Sequence, residues 1–163
     1  MSELEERARK VRLLCVDVDG VLTDAGMYYG PDGEVLKKFN TRDGMGLARV
    51  HDAGVAVAII SGEDSAIVHA RAAKLKIDDV FCNVANKRVP IDELCAKYGL
   101  QLEQVAFIGD DLNDLPALEC VGLACAVADA EEPVQRIAHY VSARRGGDGA
   151  VREVCELLIE AKR

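Results

Sequence analysis

Two acidic clusters carry the chemistry legible in this chain. Asp17-Val18-Asp19-Gly20-Val21-Leu22-Thr23 follows an apolar run, Val11 to Val16, that reads as a buried strand. Gly109-Asp110-Asp111-Leu112-Asn113-Asp114 follows a second such run, Val105 to Ile108. Side chains two apart on a strand point the same way, so Asp17 and Asp19 can face one site. Acids at the end of a buried strand need compensating charge, and a divalent cation supplies it. The competing reading of the first cluster is a solvated turn, because Asp and Gly are ordinary turn residues. Between the clusters lie Ile59-Ile60-Ser61-Gly62, a strand ending in a hydroxyl, and Lys87 at the start of a helical segment. Taken alone, Ser61 reads as a helix N-cap and Lys87 as a solvated surface residue. A lysine at a helix start is electrostatically misplaced, since that end favours anions. Its placement points to a specific anionic partner.

The elements that must position these residues alternate along the chain. Strands are predicted over Val11–Val16, Val55–Ile60, Asp79–Cys82, Val105–Ile108 and Gly122–Ala126. Helices are predicted over Gly44–Ala53, Asp64–Leu75, Lys87–Tyr98 and Leu112–Cys120. A short helix, Glu132–Ala138, a short strand, His139–Val141, and a final helix, Gly149–Ala161, complete the pattern. Alternation of this kind predicts an α/β fold with a doubly wound parallel sheet and helices on both faces. In such a sheet, chemistry sits outside the carboxyl ends of the strands, where both acidic clusters fall. The whole chain, 1–163, reads as one domain. One segment, 26–39, breaks the alternation. Its Pro31-Asp32-Gly33 turn between strand-like arms predicts a β-hairpin. Met27, Tyr28, Tyr29 and Phe39 are costly to expose together, so an oligomer contact is favoured over a decorative surface hairpin.

Composition narrows the partners. A net charge of −8 argues against nucleic acid or an anionic membrane, and an anionic substrate would then need local help from a metal and basic residues. No apolar run approaches the roughly 20 residues of a membrane span. Met1 to Lys10 is charged and lacks a signal-peptide apolar region, so a cytoplasmic location is expected. The six Cys are scattered without a C-x-x-C pair and read as reduced.

The ordered set of an Asp pair, a strand-end Ser, a Lys and a Gly-Asp-Asp-x-x-Asp run resembles the haloacid dehalogenase superfamily of phosphohydrolases. The resemblance spans Asp17 to Asp114. It implies Asp17 as nucleophile, Asp19 as acid/base through its side chain, and Ser61 and Lys87 as phosphate-binding groups. It also implies Mg²⁺ held by the Asp17 and Asp110 side chains and the Asp19 backbone carbonyl, with Asp111 and Asp114 orienting ligand waters and Lys87. Helix capping is the alternative for Asp111 and Asp114. Between Asp19 and Ser61 the hairpin and one helix fill the chain, and between Lys87 and Gly109 one helix and one strand do. No room remains for a cap domain. The resemblance is therefore to the capless branch, which includes phosphatases of 2-keto-3-deoxy sugar acid phosphates and whose members are typically homotetramers. A phospho-receiver signalling module is the non-enzyme rival. There the phospho-accepting Asp follows an earlier acidic pair, whereas Asp17 belongs to the first cluster.

The likeness extends to substrate residues. Thr23, Thr41, Arg42, Asp43, Gly62, Glu63, Arg71, Lys74, Arg145, Gly146 and Gly147 are the expected contacts for an anionic sugar phosphate. Asn40 to Gly44 follows the hairpin as in the sugar acid phosphatases. The segment 144–149, Arg144-Arg145-Gly146-Gly147-Asp148-Gly149, resembles their glycine-rich segment, which can reach a neighbour's site; a flexible surface loop is the alternative. Two subgroups compete. Gly62-Glu63, with Lys74, Lys37 to Thr41 and Ala73 to Lys76, leans to nonulosonate 9-phosphates of the sialic-acid type. Arg42-Asp43-Gly44 and Gly149 to Cys155 lean to 3-deoxy-D-manno-octulosonate 8-phosphate of lipopolysaccharide synthesis, whose group usually carries Gly-Arg after the strand-end hydroxyl. The reading leans to the nine-carbon acid, with a solvated helix face as the default role of Glu63 and Lys74.

Overall fold

A computed structural model describes all residues, 1–163. Six parallel strands form one sheet: β1 (Leu13–Val16), β4 (Ala56–Ile60), β5 (Asp79–Phe81), β6 (Val105–Gly109), β7 (Leu123–Ala126) and β8 (Tyr140–Val141). Their order is β5-β4-β1-β6-β7-β8. The chain winds one way from β1 through β4 to β5, then returns to the other side of β1 with β6. That reversal makes the crevice beyond β1, β4 and β6 the switch point, the preferred ligand position of such sheets. Every residue of β1 and β6 is buried, which is why both read as continuous apolar runs.

Helices cover the sheet: α1 (Glu3–Lys10), α2 (Thr41–Asp52), α3 (Ala66–Lys74), α4 (Arg88–Tyr98), α5 (Leu115–Leu118), α6 (Glu132–Ile137) and α7 (Ala150–Glu160). The first was not read from the sequence, although Ser2 and Glu5 form a capping box at its start. The segment expected as one helix, Leu112–Cys120, instead opens with a 3-10 turn over Leu112–Asp114. Pro116 cannot donate to the carbonyl of Leu112, so the α-helix begins only at Leu115. No helix is long and apolar enough to cross a membrane. All six Cys are free thiols.

Three details bear on the expected substrate residues. Gly149 precedes α7 without a capping side chain, and Asp43 of α2 takes that role: its Oδ1 accepts the Arg152 N–H at 3.0 Å. Asp43 is buried there and does not reach the acidic crevice. Thr23 is buried too, and its Oγ1 accepts from the N–H groups of Gly20 and Ala25 at 3.2 Å each. Through these two contacts it pins the loop after β1. The glycine-rich segment docks on that same loop. A Cβ on Gly146 would lie 1.8 Å from the Gly20 carbonyl oxygen, and the Gly147 N–H donates to Val21 at 3.0 Å. Within the chain these glycines serve close backbone packing, and Arg145 reaches outward to pair with Asp129 at 3.5 Å.

The hairpin joins β2 (Tyr28–Gly30) to β3 (Gly33–Leu36). Tyr28, Tyr29, Val35 and Leu36 are all exposed. An isolated two-stranded hairpin is marginal in water, so its attachment to the body matters, as shown below.

Candidate active site

The three central strands each deliver one part of a single cleft. Asp17 directly follows β1, Ser61 follows β4 and Asp110 follows β6. The cleft encloses about 430 Å³ and is lined by Asp17, Asp19, Glu63, Asp110, Asp111 and Asn113 among others. Lys87 enters from the N-cap position of α4 with only 1 % of its side chain exposed. Its Nζ lies 2.8 Å from Asp17 Oδ1 and 2.7 Å from Asp114 Oδ1. Burial that complete excludes the solvated reading of Lys87.

Asp114 is fully buried and uses both oxygens. Oδ1 meets Lys87, and Oδ2 accepts the N–H groups of Asp110 at 2.9 Å and Asp111 at 3.3 Å. It thus holds both Lys87 and the turn carrying Asp110. Asp111 is exposed and caps the 3-10 turn, accepting the Leu112 N–H at 2.7 Å. Ser61 is buried, and its Oγ accepts the Glu63 N–H at 3.2 Å. It does not cap α3, whose N-cap residue is Ser65. Its own O–H remains available to donate.

Asp17, Asp110 and Asp114 bring carboxylate oxygens within 4.8 Å of one another. One lysine cannot neutralise three carboxylates. Burial, reinforced by Asp114, pushes Asp17 up to about 7 against the pull of Lys87. Burial and the adjacent Asp17 push Asp110 up to about 9. Burial alone would lower the Lys87 ammonium, but the carboxylates of Asp17 and Asp114 leave it raised. Asp110 Oδ1 is buried without a hydrogen-bond partner. A buried acceptor in that condition is costly, and an oxygen-seeking divalent cation such as Mg²⁺ fits this donor set.

The sign of the pH effect follows. The folded state holds protons on Asp17 and Asp110 that an unfolded chain loses near pH 4. Without a cation, this site's contribution to stability is greatest below about pH 4 and declines as the pH passes about 7 and then 9. A cation replaces those protons. The thermal midpoint in saturating Mg²⁺ minus that in EDTA is therefore expected to grow from pH 5.5 to pH 9. A difference that stays constant over that range would remove the carboxylate cluster as the cation site.

The remaining expected residues fall in two groups. Gly62 and Glu63 sit at the cleft. Arg71 packs its guanidinium 5.5 Å from the Phe39 ring centroid, beside the start of α2. Thr41 and Arg42 open α2 and are exposed, and Arg42 faces a separate surface groove with Arg144 and Arg152. Lys74 lies in the last turn of α3, which runs antiparallel to the strands. It lines a groove with Asp79 and Tyr98 at the amino ends of β4 and β5. Helix length carries it away from the cleft, the physical reason it does not join Glu63 there. Residues not singled out include Ala25, Val84 and Asn113 at the cleft, while Lys37, read only as part of the stretch leaning to the nine-carbon acid, stands beside Asp19. Ala25 has a φ of 70°, unusual for a residue with a side chain, and nothing in its sequence context marks it.

Residues 72–154 match the family model of haloacid dehalogenase-like hydrolases. The chain is 46% identical over 161 residues to the 3-deoxy-D-manno-octulosonate 8-phosphate phosphatase of Yersinia pestis, covering 99% of this chain and 86% of that protein. The crystal structure of the phosphatase of that name from Yersinia pestis superposes with a TM-score of 0.96 at 45% identity, covering 99% of this chain and 87% of that one. The enzyme of the same name from Moraxella catarrhalis, solved with magnesium, phosphate and KDO, gives a TM-score of 0.95 at 37% identity, over 99% and 93% of the two chains.

Proposed function

This chain belongs to the haloacid dehalogenase-like hydrolases, and from that premise we propose that it is a Mg²⁺-dependent phosphatase of a 2-keto-3-deoxy sugar acid phosphate, 3-deoxy-D-manno-octulosonate 8-phosphate. The observation that carries the chemistry is Asp17 joined to Lys87 inside a carboxylate cluster that one lysine cannot neutralise.

Asp17 attacks phosphorus as the ester P–O bond breaks, which splits one hard displacement into two easier ones. Asp19 gives its proton to the departing sugar oxygen. The product is an aspartyl-phosphate on Asp17. Asp19, now a carboxylate, takes a proton from water. The water oxygen bonds to phosphorus, the acyl-phosphate P–O bond breaks, and the Asp17 carboxylate and inorganic phosphate are released. Ser61 donates its O–H to a phosphoryl oxygen, and Lys87 offsets charge developing on the transferred group. Asp114 keeps Lys87 aimed. The Asp17 and Asp110 carboxylates and the Asp19 carbonyl would hold Mg²⁺, which when bound would supply screening between the anionic nucleophile and the anionic ester.

The relatives favour the eight-carbon acid over the nine-carbon acid to which the sequence leans. One observation supports a nonulosonate 9-phosphate as the second reading: Glu63 stands at the cleft where the eight-carbon group usually carries Arg. Phosphate release with Mg²⁺ from both substrates, side by side, decides between them. A higher kcat/KM for the octulosonate ester is expected. The reverse preference would transfer the assignment, and activity on neither would discard the sugar acid class. We also propose a homotetramer in which the exposed face of Tyr28, Tyr29, Val35 and Leu36 meets a neighbour and helps to close the cleft. Sedimentation of the assayed sample at monomer mass would remove that closure.

A further inference from the structure

Like Lys87, Lys37 has a side chain with only 1 % of its surface exposed. It follows β3 directly, on the hairpin arm nearest the cleft. Its Nζ lies 2.6 Å from Asp19 Oδ1 and 2.9 Å from Glu34 Oε2. Asp19 makes no other side-chain hydrogen bond. Burying an ammonium costs desolvation, which pairing must offset. The adjacent Lys38 reaches Asp24 from the same arm at 3.4 Å on the surface, a contact worth little in water, so Lys37 also anchors the hairpin. The apolar residues of the hairpin face outward and do not account for the burial.

We infer that Lys37, braced by Glu34, is a positioning residue that aims the Asp19 carboxyl at the leaving-group oxygen. Nζ holds Oδ1, so Oδ2 is the oxygen that delivers the proton. The hairpin thereby becomes a working part of the site. This rests on the phosphatase reading above, but not on which sugar acid is the substrate.

The test uses the full chain, Mg²⁺ and a series of phenyl phosphates, from phenyl phosphate to 4-nitrophenyl phosphate. A good leaving group departs without a proton and a poor one needs it, so misplacing the acid should hurt only the poor one. Lys37→Met is expected to lower kcat/KM by about 100-fold for phenyl phosphate and by less than about 3-fold for 4-nitrophenyl phosphate, the pattern of lost general-acid catalysis. Lys37→Arg, which keeps the cation, should recover much of the loss. Adding Lys37→Met to Asp19→Asn should change nothing further, since the two act as one unit. If Lys37→Met does not fold, Glu34→Gln reads the same leaving-group dependence with a smaller loss. An equal loss across the series would overturn the inference and leave the phosphatase reading intact. No Mg²⁺-dependent hydrolysis by the unmodified protein would overturn both.

Discussion

Asp17→Asn is expected to abolish turnover, by about 10⁴-fold or more, because removing a nucleophile removes the whole covalent route. Borohydride trapping should label the unmodified protein as an aspartyl-phosphate and leave the variant blank. The amide has the shape of the carboxylate, so the fold should persist. Stability should move in an unusual direction. Asp17 is one of three carboxylates gathered within 4.8 Å. In EDTA at pH 8, replacing it with a neutral amide relieves like-charge repulsion with Asp114, so the thermal midpoint should hold or rise. The same change should weaken Mg²⁺ binding. Retained turnover would sink the covalent mechanism. A large loss of stability in EDTA would mean that Asp17 is chiefly the structural partner of Lys87.

Lys87→Met should cost both activity and stability. The side chain is buried between Asp17 and Asp114 at 2.8 and 2.7 Å. Breaking a buried ion pair by deleting one partner typically costs about 3–5 kcal/mol, a large share of the roughly 5–15 kcal/mol that holds a domain together. The loss should deepen as pH rises and more of the cluster ionises, and Mg²⁺ should recover part of it. Loss of charge compensation on the phosphoryl group should lower kcat by about 100- to 1000-fold. Urea unfolding with and without Mg²⁺ reads the first effect, and steady-state phosphate release reads the second. Unchanged stability in EDTA at pH 8 would show that the Asp114–Lys87–Asp17 chain is not the internal support described here.

The strand ends were legible because burial on both faces writes itself as unbroken apolar runs, so an acid after such a run stands out. Asp17, Ser61 and Asp110 were placed that way, and the structure brings them to one crevice with Lys87. What sequence spacing does not report is which way a side chain turns once its element is packed. Asp43 and Thr23 lie in segments resembling substrate loops, yet both are buried and accept backbone N–H groups, Asp43 through Oδ1 while its Oδ2 has no partner. Lys74 sits eleven residues after Glu63, and a helix running down the sheet carries it to the far end. Lys37 enters the sequence reading only within the stretch Lys37 to Thr41, with no role of its own, because a lysine following a hairpin strand is ordinarily a surface residue. Its meaning comes only from Asp19, eighteen positions earlier. The α1 helix escapes the sequence reading despite a capping box, because its residues are mostly charged and only Leu4 and Ala8 mark its apolar face.

The placement of β1 has a consequence for how the protein is made. The strand that precedes the other five in sequence lies inside the sheet, paired on one side with β4 and on the other with β6, where Leu13 meets Val105. One edge of that strand must wait for most of the chain to be synthesised before it is covered. Such long-range parallel pairing is slow to form and exposes apolar edges meanwhile. The acidic crevice is completed by the same late strand, so the nascent chain carries Asp17 long before it holds Asp110 and Asp114 beside it. The three carboxylates can therefore hold a cation together only once β6 has paired with β1.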